Sequence, residues 1–121
     1  MSSHNTIQAE ESDVLSPTAA SKLMQTNGAD RGFTILDVRT PEEYAAGHIA
    51  GAVLLDFNSP DFADKTEGLP KAATYLVYCR SGGRSAKAAA LLREKGFPEV
   101  LEIKGGIVDW QKEGLPVVKK E

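Results

Sequence analysis

The chain has 121 residues, of which 41% are hydrophobic and 26% are charged, with a formal net charge of −3 and a single cysteine. This length suits one compact domain, and the composition is that of a globular protein rather than a disordered one. The small negative charge argues against a general nucleic-acid binder. A single cysteine excludes both an internal disulfide and a cysteine-rich metal site.

The N-terminal segment, residues 1–12, is mostly polar, and we expect a flexible tail there, followed by one domain over residues 13–121. It lacks the basic start and apolar stretch of a secretory signal peptide. No apolar run approaches the roughly 20 residues of a membrane helix. We therefore expect a soluble, cytoplasmic protein without a membrane partner, because a lone thiol survives in a reducing compartment.

From residue 14 onward, strand and helix patterns alternate along the chain. Apolar and β-branched stretches predict strands, and capped stretches with helical spacing predict helices. The predicted strands are 14–15, 33–38, 52–55, 75–79 and 100–103. The predicted helices are 17–27, a short one from Pro41 to near Gly47, one turn around 61–64 within a loop, 85–95 and 107–113. This alternation implies an α/β fold with a parallel sheet covered on both faces.

The loop after the clearest strand has the features of a reaction site, because it begins with Cys79 and continues through Arg80, Ser81, Gly82, Gly83 and Arg84 into a helix. The carboxyl ends of parallel strands form the reactive crevice of such folds. The glycines allow a tight turn whose N–H groups point inward as an anion nest. The helix start and the arginines add positive charge.

These surroundings predict that Cys79 is a thiolate with an anion seat beside it. A free cysteine titrates near ~8.5, and positive surroundings commonly bring that pKa to ~3.5–7.5. The simpler interpretation is a small buried hydrophobic residue, which is the more common role of a cysteine at the end of a strand. The glycine pair and both arginines occur together between a strong strand and a strong helix, and this combination favours the reactive site.

Asp37 and Arg39 end the preceding strand, at the same sheet edge as Cys79. They are candidates for substrate binding, but buried charges need partners, so we favour a buried ion pair that supports the neighbouring loops. For His48 we favour a structural hydrogen bond over a role as base for Cys79, because a thiolate stabilised by amides needs no base. We expect Trp110 in the core.

Three groups of motifs occur in a characteristic order over about residues 14–118. The first is Leu36-Asp37-Val38-Arg39, Glu43-Tyr44, Gly47-His48-Ile49 and Gly51-Ala52; the second runs from Tyr78 to Ser85; the third is Gly96-Phe97, Gly105-Gly106, Trp110 and Gly114 to Val117. In these motifs the chain resembles the single-domain rhodanese family of sulfurtransferases. The resemblance implies a rhodanese-like three-layer α/β/α fold with a five-stranded parallel sheet.

The resemblance also implies a mechanism without a metal or an organic cofactor. Cys79 attacks the outer sulfur of thiosulfate, sulfite leaves, and a persulfide remains on Cys79 until a thiophilic acceptor, cyanide or a thiol, removes the sulfur. The amides of residues 80–84 stabilise the persulfide. An alternative is a carrier module that takes a persulfide from a partner protein in a sulfur relay, with little thiosulfate turnover.

Loop length separates sulfur chemistry from phosphorus chemistry. Cysteine phosphatases have five residues between cysteine and arginine, whereas four residues separate Cys79 from Arg84. The smaller ring favours attack on sulfur. An arsenate reductase is disfavoured because the chain has no second, resolving cysteine. A pure recognition module has no need of the cysteine and the arginines, so we rank it below an enzyme.

Overall fold

A computed structural model describes residues 13–27 and 32–119, in which five strands alternate with five helices. The strands are β1 (Val14–Leu15), β2 (Phe33–Asp37), β3 (Val53–Leu54), β4 (Thr74–Tyr78) and β5 (Glu99–Ile103). The helices are α1 (Pro17–Asn27), α2 (Pro41–Ala46), α3 (Phe62–Thr66), α4 (Gly83–Glu94) and α5 (Gly106–Lys112). All strand pairs are parallel, in the order β1-β5-β4-β2-β3.

Strand β4 lies at the centre of the sheet, between β5 and β2. Its side chains alternate between two apolar clusters, one on each face, as the period of a strand requires. Tyr75, Val77 and the following Cys79 belong to one cluster, and Leu76 and Tyr78 belong to the other. Both faces of the strand are therefore buried, which explains its continuous apolar sequence.

The helices cover both faces of the sheet. Helices α3 and α4 contribute to the cluster that contains Cys79, and α1 and α5 contribute to the opposite cluster. Trp110 of α5 is buried in that second cluster, as predicted, and its indole N–H donates to the Pro116 carbonyl at 2.8 Å. The three-layer α/β/α fold with a five-stranded parallel sheet is confirmed.

Helices α3, α4 and α5 have slightly different bounds in the structure from those predicted, and α5 covers 106–112 rather than 107–113. Helix α4 begins at Gly83 rather than at residue 85, because Gly82 in the left-handed region, with φ 119°, turns the chain directly into the helix. Helix α3 covers 62–66 rather than 61–64. The predicted tail, residues 1–12, lies outside the described residues. In the described part of the chain, none of the helices has the length and apolar character to cross a membrane.

Candidate active site

Cys79 lies at the carboxyl end of the central strand β4, where the loop 80–82 leads into α4. The residue is 1% exposed and packs in the apolar cluster on the α4 side of the sheet. The sequence therefore places the thiol at the sheet edge where parallel α/β folds bind ligands. The tight turn at Gly82 brings the loop back over the sulfur.

Hydrogen bonds from the loop converge on the sulfur of Cys79. The Gly82 N–H donates to Sγ at 3.1 Å, and the hydroxyl oxygen of Ser85 lies 3.5 Å from Sγ. Burial raises the pKa of this thiol, but the Ser85 hydroxyl and the amides of Ser85, Gly82 and Ser81 outweigh burial, so the net pKa is below its usual value. The direction agrees with a thiolate held in an anion nest.

The Ser85 hydroxyl has two alternative acceptors. It lies 3.2 Å from the Gly82 carbonyl oxygen and 3.5 Å from Sγ. When Cys79 is a thiol, its S–H donates to Ser85 Oγ and the hydroxyl donates to the Gly82 carbonyl. When Cys79 is a thiolate, the same hydroxyl turns and donates to the sulfur. Ser85 thus accommodates both protonation states without moving the backbone.

The start of α5 supports the loop from behind. The amides of Ile107 and Val108 donate to the carbonyl oxygens of Cys79 at 3.0 Å and Arg80 at 3.1 Å. Gly106, at φ 60°, lies so close that a Cβ atom there would collide with both carbonyls. A side chain at this position is incompatible with the contact, so the loop requires glycine at position 106.

Arg84 does not point freely at the thiol. Its guanidinium binds both carboxylate oxygens of Glu43, at 2.8 and 2.9 Å, and the two side chains are 25% and 27% exposed. The Arg84 hydrogen bonds lower the pKa of Glu43 to about 2, against the effect of burial, and those from Thr40 contribute in the same direction. The sequence led us to expect that both Arg80 and Arg84 add positive charge at the site, whereas the structure shows that Glu43 neutralises Arg84.

Glu43 has a second task in the same place. Its carboxylate accepts from the Thr40 N–H at 2.9 Å, and its own N–H donates to the Thr40 hydroxyl, which completes the capping box of α2. The Glu43 side chain therefore caps α2 and also binds Arg84, which follows the active loop.

Asp37 and Arg39 form the expected buried pair, with side chains 0% and 5% exposed. The guanidinium donates to both carboxylate oxygens, at 2.9 and 2.7 Å, and to the Gly47 carbonyl at 2.7 Å. The Tyr78 hydroxyl donates to Asp37 at 2.6 Å and accepts the Ile49 N–H. Burial and the Asp37 charge raise the pKa of Tyr78, which remains a neutral phenol.

His48 is a structural residue in this arrangement. Its ring stacks on Tyr44 with centroids 3.7 Å apart, and Nδ1 lies 2.8 Å from the Tyr44 carbonyl oxygen. Its backbone exchanges two hydrogen bonds with Val118.

The predicted site residues therefore divide into two groups. In the first group, Cys79 and the residues that follow it, the Gly82 amide contacts the sulfur and Arg84 is bound to Glu43. In the second group, Asp37 and Arg39 form a buried ion pair at the same sheet edge. Sequence reasoning placed Ser85 in the loop motif and Glu43 at the helix cap, but it did not assign Ser85 a contact with the sulfur or Glu43 a contact with Arg84. Ser85 follows the loop directly, and Glu43 lies three residues after the cap Thr40 at the same sheet edge. These positions along the chain were the signal that could have placed both residues near Cys79.

The parallel α/β sheet carries a buried cysteine, in a loop whose amides face the sulfur, at the carboxyl edge of its central strand. A family model described as "Rhodanese-like domain" matches residues 16–113. The chain belongs to the rhodanese family, which confirms the resemblance seen in the motifs.

Individual relatives are similar over most of their length. A sulfurtransferase of Allochromatium vinosum is 39% identical over 87 residues, which cover 72% of this chain and 79% of the relative. Thiosulfate sulfurtransferase 16, a chloroplastic protein of Arabidopsis thaliana, is 37% identical, with 89% of this chain and 97% of the relative covered. The crystal structure of a rhodanese-related protein from Thermoplasma volcanium matches with a TM-score of 0.74 at 30% identity, covering 88% of this chain and 98% of that one.

Proposed function

We propose that this protein transfers a sulfane sulfur from thiosulfate or a related anionic donor to a thiol or cyanide, with a persulfide on Cys79 as the intermediate. The main support for the proposal is the environment of the buried Cys79 Sγ. This atom accepts a hydrogen bond from the Gly82 N–H at 3.1 Å and lies 3.5 Å from the Ser85 hydroxyl oxygen. Groups placed in this way stabilise a negative sulfur without a metal or an organic cofactor. In the cell, the proposed site of action is the reducing cytoplasm, where the thiol stays free.

In the first half-reaction, the Cys79 thiolate attacks the outer sulfur of thiosulfate. A new S–S bond forms at Cys79, the bond between the two sulfurs of thiosulfate breaks, and sulfite leaves with the bonding electron pair. The negative charge moves to the outer sulfur of the persulfide. The amides of residues 80–84 and the Ser85 hydroxyl are the groups available to hold it.

In the second half-reaction, an acceptor removes the outer sulfur. Cyanide attacks that atom, the S–S bond breaks, thiocyanate forms, and Cys79 is released as a thiolate that the same hydrogen bonds stabilise. A thiolate acceptor reacts in the same way with the protonated persulfide and leaves as a persulfide itself. The acceptor comes from outside the chain, because Cys79 is its only cysteine.

A persulfide carrier is the second candidate. One observation favours it: Glu43 neutralises Arg84, so the site has less positive charge for a dianion such as thiosulfate than its two arginines suggest. A carrier in a sulfur relay would acquire the persulfide from a partner protein and react slowly with thiosulfate. The extent of loading by thiosulfate separates the two candidates.

The test is intact-mass analysis after incubation with thiosulfate, together with a thiocyanate assay. We expect the mass of one added sulfur atom on the wild type, its loss on addition of cyanide, and neither in Cys79→Ser. Lys22→Gln, an exposed substitution on α1, serves as the matched control. Full thiocyanate production by Cys79→Ser would overturn the proposal. Loading by a persulfide donor but not by thiosulfate would establish the carrier.

A further inference from the structure

A cavity of about 300 Å³ opens beside the active loop, between α2 and the start of α5. Its walls include Arg80 of the loop, Glu43 of α2, and Ile107, Val108 and Gln111 of α5. This volume is at the lower end of the range of roughly 300–1,000 Å³ in which proteins bind small molecules. We refer to this cavity as the side pocket.

Residues that line the side pocket contact the active loop at its start and the first turn of α4 at its end. Arg80 follows Cys79 directly, and the amides of Ile107 and Val108 bind the carbonyls of Cys79 and Arg80. At the other end, Glu43 of the pocket wall binds Arg84. A molecule in the pocket therefore lies against the residues that shape the loop around the sulfur.

The charges that line the side pocket are compensated with one exception. Arg39 is bound to Asp37, and Glu43 is bound to the two terminal guanidinium nitrogens of Arg84. Arg80 is exposed and, within residues 13–27 and 32–119, no carboxylate pairs with its guanidinium. Arg80 is thus the lining residue whose positive charge is uncompensated, and the lining also includes the polar Gln111 and the apolar Ile107 and Val108.

We propose that the side pocket binds small thiol acceptors that carry a carboxylate, and that Arg80 binds that carboxylate. Guanidinium and carboxylate match in charge and in planar hydrogen-bond geometry. The apolar wall suits the methylene groups that join a carboxylate to a thiol. This inference rests on the proposed sulfur transfer and adds the class of its acceptor.

The bound acceptor reacts through its thiolate. The thiolate attacks the outer sulfur of the protonated Cys79 persulfide, the Cys79 S–S bond breaks, and a new S–S bond forms on the acceptor. Cys79 keeps the electron pair and returns to the thiolate, and the acceptor leaves with the proton as a hydropersulfide. Arg80 contributes by binding the acceptor near the loop.

The test uses two acceptors that differ only in charge, 3-mercaptopropionate and 3-mercaptopropionamide. The protein is first loaded with sulfur, and the discharge of the persulfide is followed by intact mass at low ionic strength and equal thiolate concentrations. The readout is the ratio of the two second-order rate constants, which removes general effects of a substitution on the thiol. Discharge by cyanide on the same samples reports whether the persulfide is competent.

We expect Arg80→Gln to lower the ratio of carboxylate to amide acceptor by about five-fold, the value typical of a partly exposed ion pair. Arg80→Lys keeps the charge and should retain most of the ratio. Lys22→Gln removes one positive charge from α1, away from the pocket, and should leave the ratio unchanged. Added salt should lower the ratio in the wild type more than in Arg80→Gln.

An unchanged ratio in Arg80→Gln would overturn the inference, and so would an equal loss in Lys22→Gln. Either result leaves the proposed function intact as long as the persulfide forms and cyanide removes it. Absence of persulfide on the wild type would instead contradict the proposed function.

Discussion

Two arginine–carboxylate pairs lie at the same edge of the sheet, and they differ in burial and in the number of residues that separate the partners along the chain. Asp37 and Arg39 are two residues apart and are almost fully buried. Glu43 and Arg84 are 41 residues apart and about one quarter exposed. The first pair lies within one segment of the chain and is buried at the sheet edge. The second pair connects the first turn of α4 to α2, where solvent has access.

The comparison predicts that breaking the two pairs lowers the free energy of unfolding by different amounts. Removing one partner of a buried pair leaves an uncompensated charge in the interior, whereas a partly exposed charge regains water. The predictions below test this difference, from the largest effect to the smallest.

Asp37→Asn should lower the free energy of unfolding by about 3–5 kcal/mol, because it leaves the buried Arg39 guanidinium without a counter-charge. Urea unfolding measures the loss. Tyr78→Phe serves as the milder companion, since it removes only the hydroxyl that donates to Asp37, and we expect a loss of about 1 kcal/mol. A loss for Asp37→Asn no larger than that of Tyr78→Phe would contradict the role given to the buried pair.

Glu43→Gln should lower the free energy of unfolding by about 1–2 kcal/mol, because the pair with Arg84 is partly screened by solvent. Glutamine keeps the capping geometry at Thr40, so the variant isolates the ion pair. Glu43→Ala removes the cap as well and should cost about 1 kcal/mol more. Equal losses in the two variants would mean that the side-chain oxygen at position 43 does not stabilise the helix cap.

The same pair predicts a pH dependence. The pKa of Glu43 falls from 4.5 to about 2 on folding, so its contribution is fully present above pH 4.5 and is lost as the pH falls toward 2. The difference in unfolding free energy between wild type and Glu43→Gln should therefore shrink across this interval. A difference that stays constant from neutral pH down to pH 2 would show that the pair does not account for it.

Ser85→Ala should have the smallest effect and should act on the thiol rather than on the fold. Loss of the hydroxyl removes a hydrogen bond to the thiolate, so the pKa of Cys79 should rise and the rate of persulfide formation near neutral pH should fall by about five-fold. Titration of thiolate absorbance and stopped-flow kinetics measure both quantities. Ser85→Thr keeps the hydroxyl and is the control, and a pKa that is unchanged in Ser85→Ala would assign the shift to the amides alone.

Much of the fold was predictable because it depends on local patterns. The buried strand from 75 to 79, the Pro41 helix start after Thr40 and the glycine turn after Cys79 each follow from neighbouring residues. The opposite orientations of Tyr78 and Cys79 also follow from the period of two along a strand, and the two residues lie in different clusters.

The pairing of charges in the site was not predictable in the same way. Arg80 and Arg84 look equivalent in the sequence, but Arg84 meets Glu43, which is 41 positions earlier in the chain. Only the tertiary arrangement of α2 and α4 decides which arginine is neutralised and which stays available. The Ser85 hydroxyl was missed for a different reason, since its reach to the sulfur depends on α4 starting at Gly83.

The contact between the loop and α5 has a consequence for the order in which the protein matures. The carbonyls of Cys79 and Arg80 are held by amides of Ile107 and Val108, and Gly106 leaves the space for that contact. During synthesis, a chain that has emerged only through α4 carries the cysteine without the backbone partners that shape its loop. Docking of the last helix therefore completes the hydrogen bonds that hold the backbone of the loop beside the thiol.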